Sequence, residues 1–265
     1  MDFEQLAKIE NESERVNRTY DIFNEDARLN HSKAARVEFL TTVHYIEKYL
    51  KNGDKILDIG AGAGEYSLYF ARKGYEVSAL ELADANIAAF KKKLTPEDKI
   101  DLVQGNALDL SRYADKSFDA VFLCGPLYHL QSDKDKLQCI HEAKRVCKDG
   151  GKMFFAFISN DFVFLTEFQY DVHYFASGDY NKETFRLNDF PFVFHTVDAA
   201  RAILARGGVK VLHEVASDGA SELLADRINA MNAEDYAQYL RYHFYICEKP
   251  ELLGMSNHLL FVGEK

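Results

Sequence analysis

The sequence predicts an α/β protein: a seven-stranded, mostly parallel sheet with an antiparallel last strand, a helical N-terminal cap and an aromatic-rich insertion. Three observations carry that prediction. From Lys55 onward, apolar strand patterns alternate with helical ones, as parallel strands joined by right-handed crossovers require. The first of those strands runs directly into Gly60-Ala61-Gly62-Ala63-Gly64, a turn dense in glycine. The last pattern of the chain, residues 258–263, is a strand with no crossover helix after it. A hairpin with the strand before it is then easy to make, and the expected place of the last strand is a sheet edge.

The first fifty residues read as helices. Val37, Leu40, Val43, Ile46, Tyr49 and Leu50 form a stripe of helical period over residues 35–50, which Asn52-Gly53 ends. The first strand spans 55–59, followed by a helix over 65–73 that Gly74 stops. The second strand spans 75–80, and the helix after it, with Asp84 as the expected cap, ends before Pro96. Strands three and four follow at 100–104 and 118–124, then a long helix over 133–147, the turn Asp149-Gly150-Gly151 and strand five at 152–158.

Residues 160–195 interrupt this rhythm with a stretch in which roughly a third of the positions are Phe or Tyr. A helix over 197–206, strand six at 209–215 and helices over 222–231 and 233–247 lead to the closing strand. With four prolines, no repeat and no linker-like tract, the 265 residues are expected to form one continuous domain.

Composition narrows the function classes. A formal charge of −10 disfavours nucleic acid as a partner, because such binding depends on Lys and Arg neutralising phosphates. Cys124, Cys139, Cys147 and Cys247 form no C-x-x-C pair, so neither a zinc knuckle nor a dithiol redox site is suggested and no metal is expected. No window holds the ~18 uncharged apolar residues of a membrane span, and the start lacks a basic-then-apolar leader. The expected setting is cytoplasmic, without a membrane partner.

The chemistry concentrates at Ile56-Leu57-Asp58-Ile59-Gly60-Ala61-Gly62-Ala63-Gly64-Glu65-Tyr66, an apolar strand, a glycine turn and a helix start. Glycine is needed where a ligand lies against backbone and where the turn demands dihedrals a Cβ would block. A glycine turn alone would be only a tight connection. Here Glu81 ends the second strand, from which a carboxylate can accept both hydroxyls of a ribose. The layout is therefore Rossmann-like. A dinucleotide turn asks for G-x-G-x-x-G, whereas here the third glycine comes one residue early and Glu65 stands in its place, which leaves a dinucleotide oxidoreductase as the alternative rather than the first reading.

These residues resemble the class I S-adenosylmethionine-dependent methyltransferases over roughly residues 20–160 and the closing strand. Residues 57–64 look like that family's first motif and Glu81 like its ribose-binding acid. Residues 104–110 look like the segment that brackets the adenine, 117–130 like its fourth strand and following loop, and 145–151 like the turn before its fifth strand. The resemblance implies S-adenosyl-L-methionine as cofactor, with Gly60, Ala61 and Gly62 facing its methionine and ribose portions, Glu81 holding the ribose, and Asn106 and Ala107 meeting the adenine. Leu82 and Cys124 fall in the same cofactor-binding set, and Asp58 organises the glycine loop. Many relatives carry Asp where this chain has Asn106, and the amide oxygen can serve the same purpose. Tyr20 and Arg28 resemble a lid segment that reaches the cofactor carboxylate.

By the same resemblance residues 1–50 are a helical cap, 51–159 a cofactor-binding half, 160–195 an insertion or lid and 196–265 a C-terminal half. The acceptor is a small molecule of unnamed identity, with an apolar or aromatic character suggested by the Phe-rich stretch; RNA or protein methylation is the other alternative. If the acceptor atom is protonated at neutral pH a general base is required, and His129, in the loop beyond strand four, is the candidate, with Tyr128 beside it to position the acceptor or face the sulfonium. His173 and His195 lie inside the aromatic stretch, which reads as either a lid or a second small core.

Overall fold

A computed structural model describes residues 3–265. Two short helices, α1 (Phe3–Ala7) and α2 (Glu12–Thr19), precede a single 3-10 turn over Glu25–Ala27 and the longer α3 (Arg36–Glu47). The alternating part then runs β1 (Lys55–Ile59), α4 (Glu65–Arg72), β2 (Glu76–Glu81), α5 (Asp84–Lys93), β3 (Ile100–Gln104), β4 (Phe118–Leu123), α6 (Asp133–Val146) and β5 (Cys147–Ser159). The insertion folds as α7 (Asn160–Tyr170), α8 (Tyr174–Ser177), a hairpin of β6 (Tyr180–Asn181) with β7 (Arg186–Leu187), and β8 (Phe194–His195). The chain ends with α9 (Val197–Arg206), β9 (Lys210–Ala216), α10 (Ala225–Ala230), α11 (Ala233–Ile246) and β10 (His258–Glu264).

The main sheet has the order β3-β2-β1-β4-β5-β10-β9, with β8 adding a short parallel pairing to β5 through Ile158 and Ser159. The seven predicted strands are the seven of that path, and β8 is an eighth. All pairings from β3 to β5 are parallel, and β10 runs antiparallel to both neighbours. The carboxyl ends of β1, β2 and β4 therefore open on one edge, where the glycine turn and the loop after β4 meet.

One expectation is overturned. The closing strand is not at the edge; it is inserted between β5 and β9, and β9 is the edge strand. The physical reason lies in the two patterns: Leu259, Leu260, Phe261 and Val262 are buried on both faces, as a central strand must be, while β9 begins exposed and is buried only at its last two residues. Two smaller expectations also shift. Ala83, not Asp84, is the N-cap of α5, and Asp84 instead accepts from Asn17 and Gln104. Residues 149–151 do not interrupt β5; they form a bulge inside it, visible as a register jump from Phe118 opposite Cys147 to Ala120 opposite Lys152.

Strand alternation splits the core into two layers. Leu57, Ile59, Val121, Phe155 and Phe261 face α6 and α9, whereas Ile56, Ala120, Phe122, Phe154 and Leu260 face α3 and α4. The insertion has a small core of its own around Phe164, Tyr180 and Leu187. Among the described residues, no helix is long and apolar enough to cross a membrane.

Candidate active site

The glycine turn is built by backbone constraint. Gly60 sits at φ +71°, and a Cβ there would come 2.8 Å from Pro126 Cδ of the neighbouring loop, so only glycine lets the two loops meet. Gly62 sits at φ +57° with its N–H pointed at Glu81, whose Oε2 accepts it at 2.7 Å. The other oxygen of Glu81 accepts from Ala83 N at 2.8 Å and Asn86 Nδ2 at 3.3 Å. Glu81 is buried, and burial pushes its carboxyl pKa up against those donors. Asp58 is buried one strand over, accepting from Ser67 Oγ at 2.7 Å, and burial raises its pKa to about 7, with the Glu81 charge adding to the shift.

Two adjoining cavities surround this turn. One is lined by Gly60, Glu81, Leu82, Asn106, Ala107, His129 and, from the N-terminal helices, Glu12, Ser13 and Tyr20. The other lies against Asp58, Gly60, Ala61, Gly62, Cys124, Tyr128, Tyr20, Glu25 and Arg28. Every residue expected at the cofactor site thus borders one of the two. Asn106 differs in detail: its amide oxygen accepts from Leu108 N at 2.9 Å, and its nitrogen donates to Ser13 Oγ at 2.9 Å, tying the cap to the loop after β3.

The N-terminal segment covers the site more closely than its sequence announced. Glu25 lies over Gly62, and Arg28 donates to Glu25 Oε1 at 2.8 Å and to Glu38 Oε2 at 2.7 Å. Burial works against the Arg28 charge, but Glu38 and Glu25 outweigh it and hold the guanidinium pKa above its ordinary value. The Tyr20 hydroxyl is 2.8 Å from His129 Nε2. The His129 ring sits among Tyr20, Tyr128 and Phe192, its Nδ1 buried without a hydrogen-bond partner, and burial lowers its pKa to about 4. Tyr128 donates to Cys124 O at 2.7 Å. Burial pushes the Cys124 thiol well up.

Beyond Tyr20 and Tyr128 a third cavity of about 440 Å³ opens, walled by Phe23, Ile158 and Phe192 with Arg28, His31 and His258 at its far side. A fourth, of about 410 Å³, shares Arg28, His31 and His258 and continues past Glu38, Asp218 and Glu222. Both volumes suit a small ligand. Glu38, Asp218 and His258 bring their polar atoms within 4.8 Å of one another, but they already serve each other and Arg28: His258 Nδ1 lies 2.7 Å from Asp218 Oδ2.

The aromatic stretch divides its labour. Most of its rings pack on one another, His173 caps α8 at the surface, and His195 is buried against Phe157, burial chiefly lowering its pKa to about 3. Phe192 alone of its rings contacts the loop after β4, stacking near Tyr128, His129 and Phe23. The sequence reading missed Glu25, Glu38, Asp218 and His258. A glutamate inside the apolar face of α3 was the one available signal, since a charge at a buried position needs a partner.

A turn of glycines over a buried strand-end carboxylate, at the carboxyl edge of a doubly wound sheet, defines a nucleoside-binding α/β protein. Residues 57–155 match the methyltransferase domain family, and over this stretch the chain is similar to the class I S-adenosylmethionine-dependent methyltransferases. The chain is 30% identical over 121 residues to a demethylmenaquinone methyltransferase of Clavibacter sepedonicus, covering 46% of this chain and 48% of that protein. It spans about half the length of that relative. A solved S-adenosylmethionine-dependent methyltransferase from Methanosarcina mazei superposes with a TM-score of 0.55 at 19% identity over 83% of this chain and 96% of that one, and the [4+2]-cyclase SpnF with 0.61 at 18% over 96% of each. At such identities the likeness is one of fold.

Proposed function

We propose that the protein transfers a methyl group from S-adenosyl-L-methionine to a small, largely apolar or aromatic molecule. The observation that carries this reading is the junction at Tyr20: the cavities around the glycine turn and the separate aromatic-walled cavity meet there, so a cofactor and an acceptor can approach from opposite sides. The residues present fit the cofactor. Glu81 presents a buried carboxylate where ribose hydroxyls would donate, the glycine turn leaves backbone bare, and Asp58, Glu25 and Glu81 offset a sulfonium and an ammonium.

When bound, the cofactor supplies a methyl carbon on a positively charged sulfur, which departs as a neutral thioether. The chain needs no covalent step of its own. Its work is positioning and exclusion of water: Tyr20, Tyr128, His129 and Phe192 form a collar at the junction, and the Tyr20–His129 hydrogen bond fixes one side of it. Arg28, held by Glu25 and Glu38, borders both the glycine-turn cavity and the aromatic-walled one. The relatives that methylate quinone precursors favour an acceptor of the aromatic kind.

Calorimetry tests the reading directly. S-adenosylmethionine and its demethylated product should bind and NAD should not; tight NAD binding with no S-adenosylmethionine signal would sink it.

A further inference from the structure

The His258–Asp218 pair borders the acceptor cavity without any part in the cofactor site. Asp218 is buried and has its acceptors committed: Oδ2 faces His258 Nδ1 at 2.7 Å, Oδ1 takes His258 N at 3.1 Å and the Ser256 hydroxyl. Glu38 Oε2 stands 3.4 Å from the same Nδ1. The imidazole is thereby held by one nitrogen, and among the described residues nothing bonds the other. Nε2 is left to the two cavities His258 lines. A carboxylate that orients an imidazole and stabilises its cation, with the second nitrogen open to a ligand, is the arrangement of a general base.

The other charged groups around the pair are held in hydrogen bonds of their own. Arg28, from the N-terminal segment, consumes both Glu25 and Glu38, and Asp218 is consumed by His258. Glu222, from the loop before α10, accepts from Tyr170 and Asn257. His31 Nδ1 donates to the Ala27 and Arg28 carbonyls. Each of the carboxylates lining the two cavities thus already accepts a hydrogen bond. The walls of Phe23, Ile158 and Phe192 suit a neutral ring.

Resting on the methyltransferase reading, we propose that His258, oriented by Asp218, is the general base for O-methylation of a neutral hydroxylated, phenol-like acceptor. The acceptor oxygen gives its proton to His258 Nε2 as it forms a bond to the methyl carbon; the carbon–sulfur electron pair stays on sulfur, and the imidazolium returns its proton to solvent. Although burial opposes its charge, Glu38 and Asp218 raise the His258 pKa to about 8, so the neutral form that takes the acceptor's proton prevails only above that pH and turnover should rise towards alkaline pH.

The test uses the full chain with S-adenosylmethionine carrying a labelled methyl, and phenol, catechol and para-nitrophenol as acceptors beside tryptamine. Parent enzyme should methylate at least one phenol and not the amine. His258→Gln should lower turnover by about 10² on phenol and by less than tenfold on the more acidic para-nitrophenol, because a hydroxyl that ionises readily needs less help, with cofactor affinity unchanged. Independently of activity, histidine NMR titration should place His258 above the ordinary range and Asp218→Asn should bring it down. Asp218→Asn also serves if His258→Gln fails to fold, and should move the acid limb of the rate profile. Equal losses on all phenols, no loss at all, methylation of tryptamine alone, or no phenol methylated by a protein that binds cofactor would each overturn the assignment. Absence of cofactor binding would instead overturn the methyltransferase reading beneath it.

Discussion

The glycine-turn site and the aromatic-walled cavity of this protein were built by different rules. Around the cofactor site, Asp58, Gly60, Gly62, Glu81, Asn106 and Cys124 come one after another from successive strand ends, and parallel pairing brings them together automatically. The aromatic-walled cavity takes Tyr20 and Arg28 from the cap, Tyr128 from the loop after β4, Phe192 from the insertion and His258 from the closing strand. Nothing local to any of these announces the others. The first region tolerates little change because backbone geometry defines it, whereas side chains define the second, which can be altered without dismantling the fold.

The contrast can be broken most severely at the glycine turn. Gly62→Val places a branched side chain at φ +57° with its Cβ about to meet Glu25 Cγ at 3.3 Å, so cofactor binding should disappear by calorimetry while circular dichroism shows a folded protein. Retained binding would mean that the turn is not where the cofactor lies. Next in size, Glu81→Ala should weaken cofactor binding by about 1.5 to 3 kcal/mol, the range for losing hydrogen bonds to a charged group, and part of that loss will come from freeing the Gly62 N–H. An unchanged Kd in a folded variant would place Glu81 outside the site.

On the acceptor side the effects are smaller and sharpen the comparison. The His258 imidazole binds its proton more tightly folded than unfolded, its pKa rising from 6.5 to about 8. Its contribution is fully present below pH 6.5 and is lost as pH climbs through 8, so urea unfolding should show up to about 2 kcal/mol less stability at pH 9 than at pH 6.5. Asp218→Asn should flatten that slope; an equally steep slope in the variant would detach the histidine from it. Smallest of all, His129→Asn should cost less than tenfold in turnover with cofactor affinity kept, as befits a neutral ring that positions Tyr20. A fall of about 10² or more would make His129 the base and leave His258 an anchor.

Fold legibility followed the same division. The strand–helix alternation and its stop signals placed seven of the eight strands of the main sheet, most sharply β1 and β4, where burial on both faces of a parallel strand leaves a continuous apolar run that sequence preserves. The position of β10 departs from the edge its connectivity suggests: a missing crossover helix permits an edge hairpin, but Leu259 to Val262 could only be buried in the middle of a sheet. In the aromatic stretch, periodicity does not say which ring of a crowded set packs inward with Phe164 and Tyr180 and which turns to Phe23 and His129, as Phe192 does.

By itself, then, the sequence determined the parallel sheet, the glycine turn and the acid opposite it, all of which follow from short-range pattern: alternation, dihedral demand and strand-end placement act within a few residues of each other. Tertiary structure alone decided that Arg28 meets Glu38, that His258 meets Asp218 forty residues earlier, and that Phe192 closes on Tyr128. Those meetings depend on where β10 is inserted and how the cap folds back over the sheet. Their partners are fixed by the burial of whole surfaces and by the need to pair every charge carried inside with them, a condition written across the chain rather than at any one place in it.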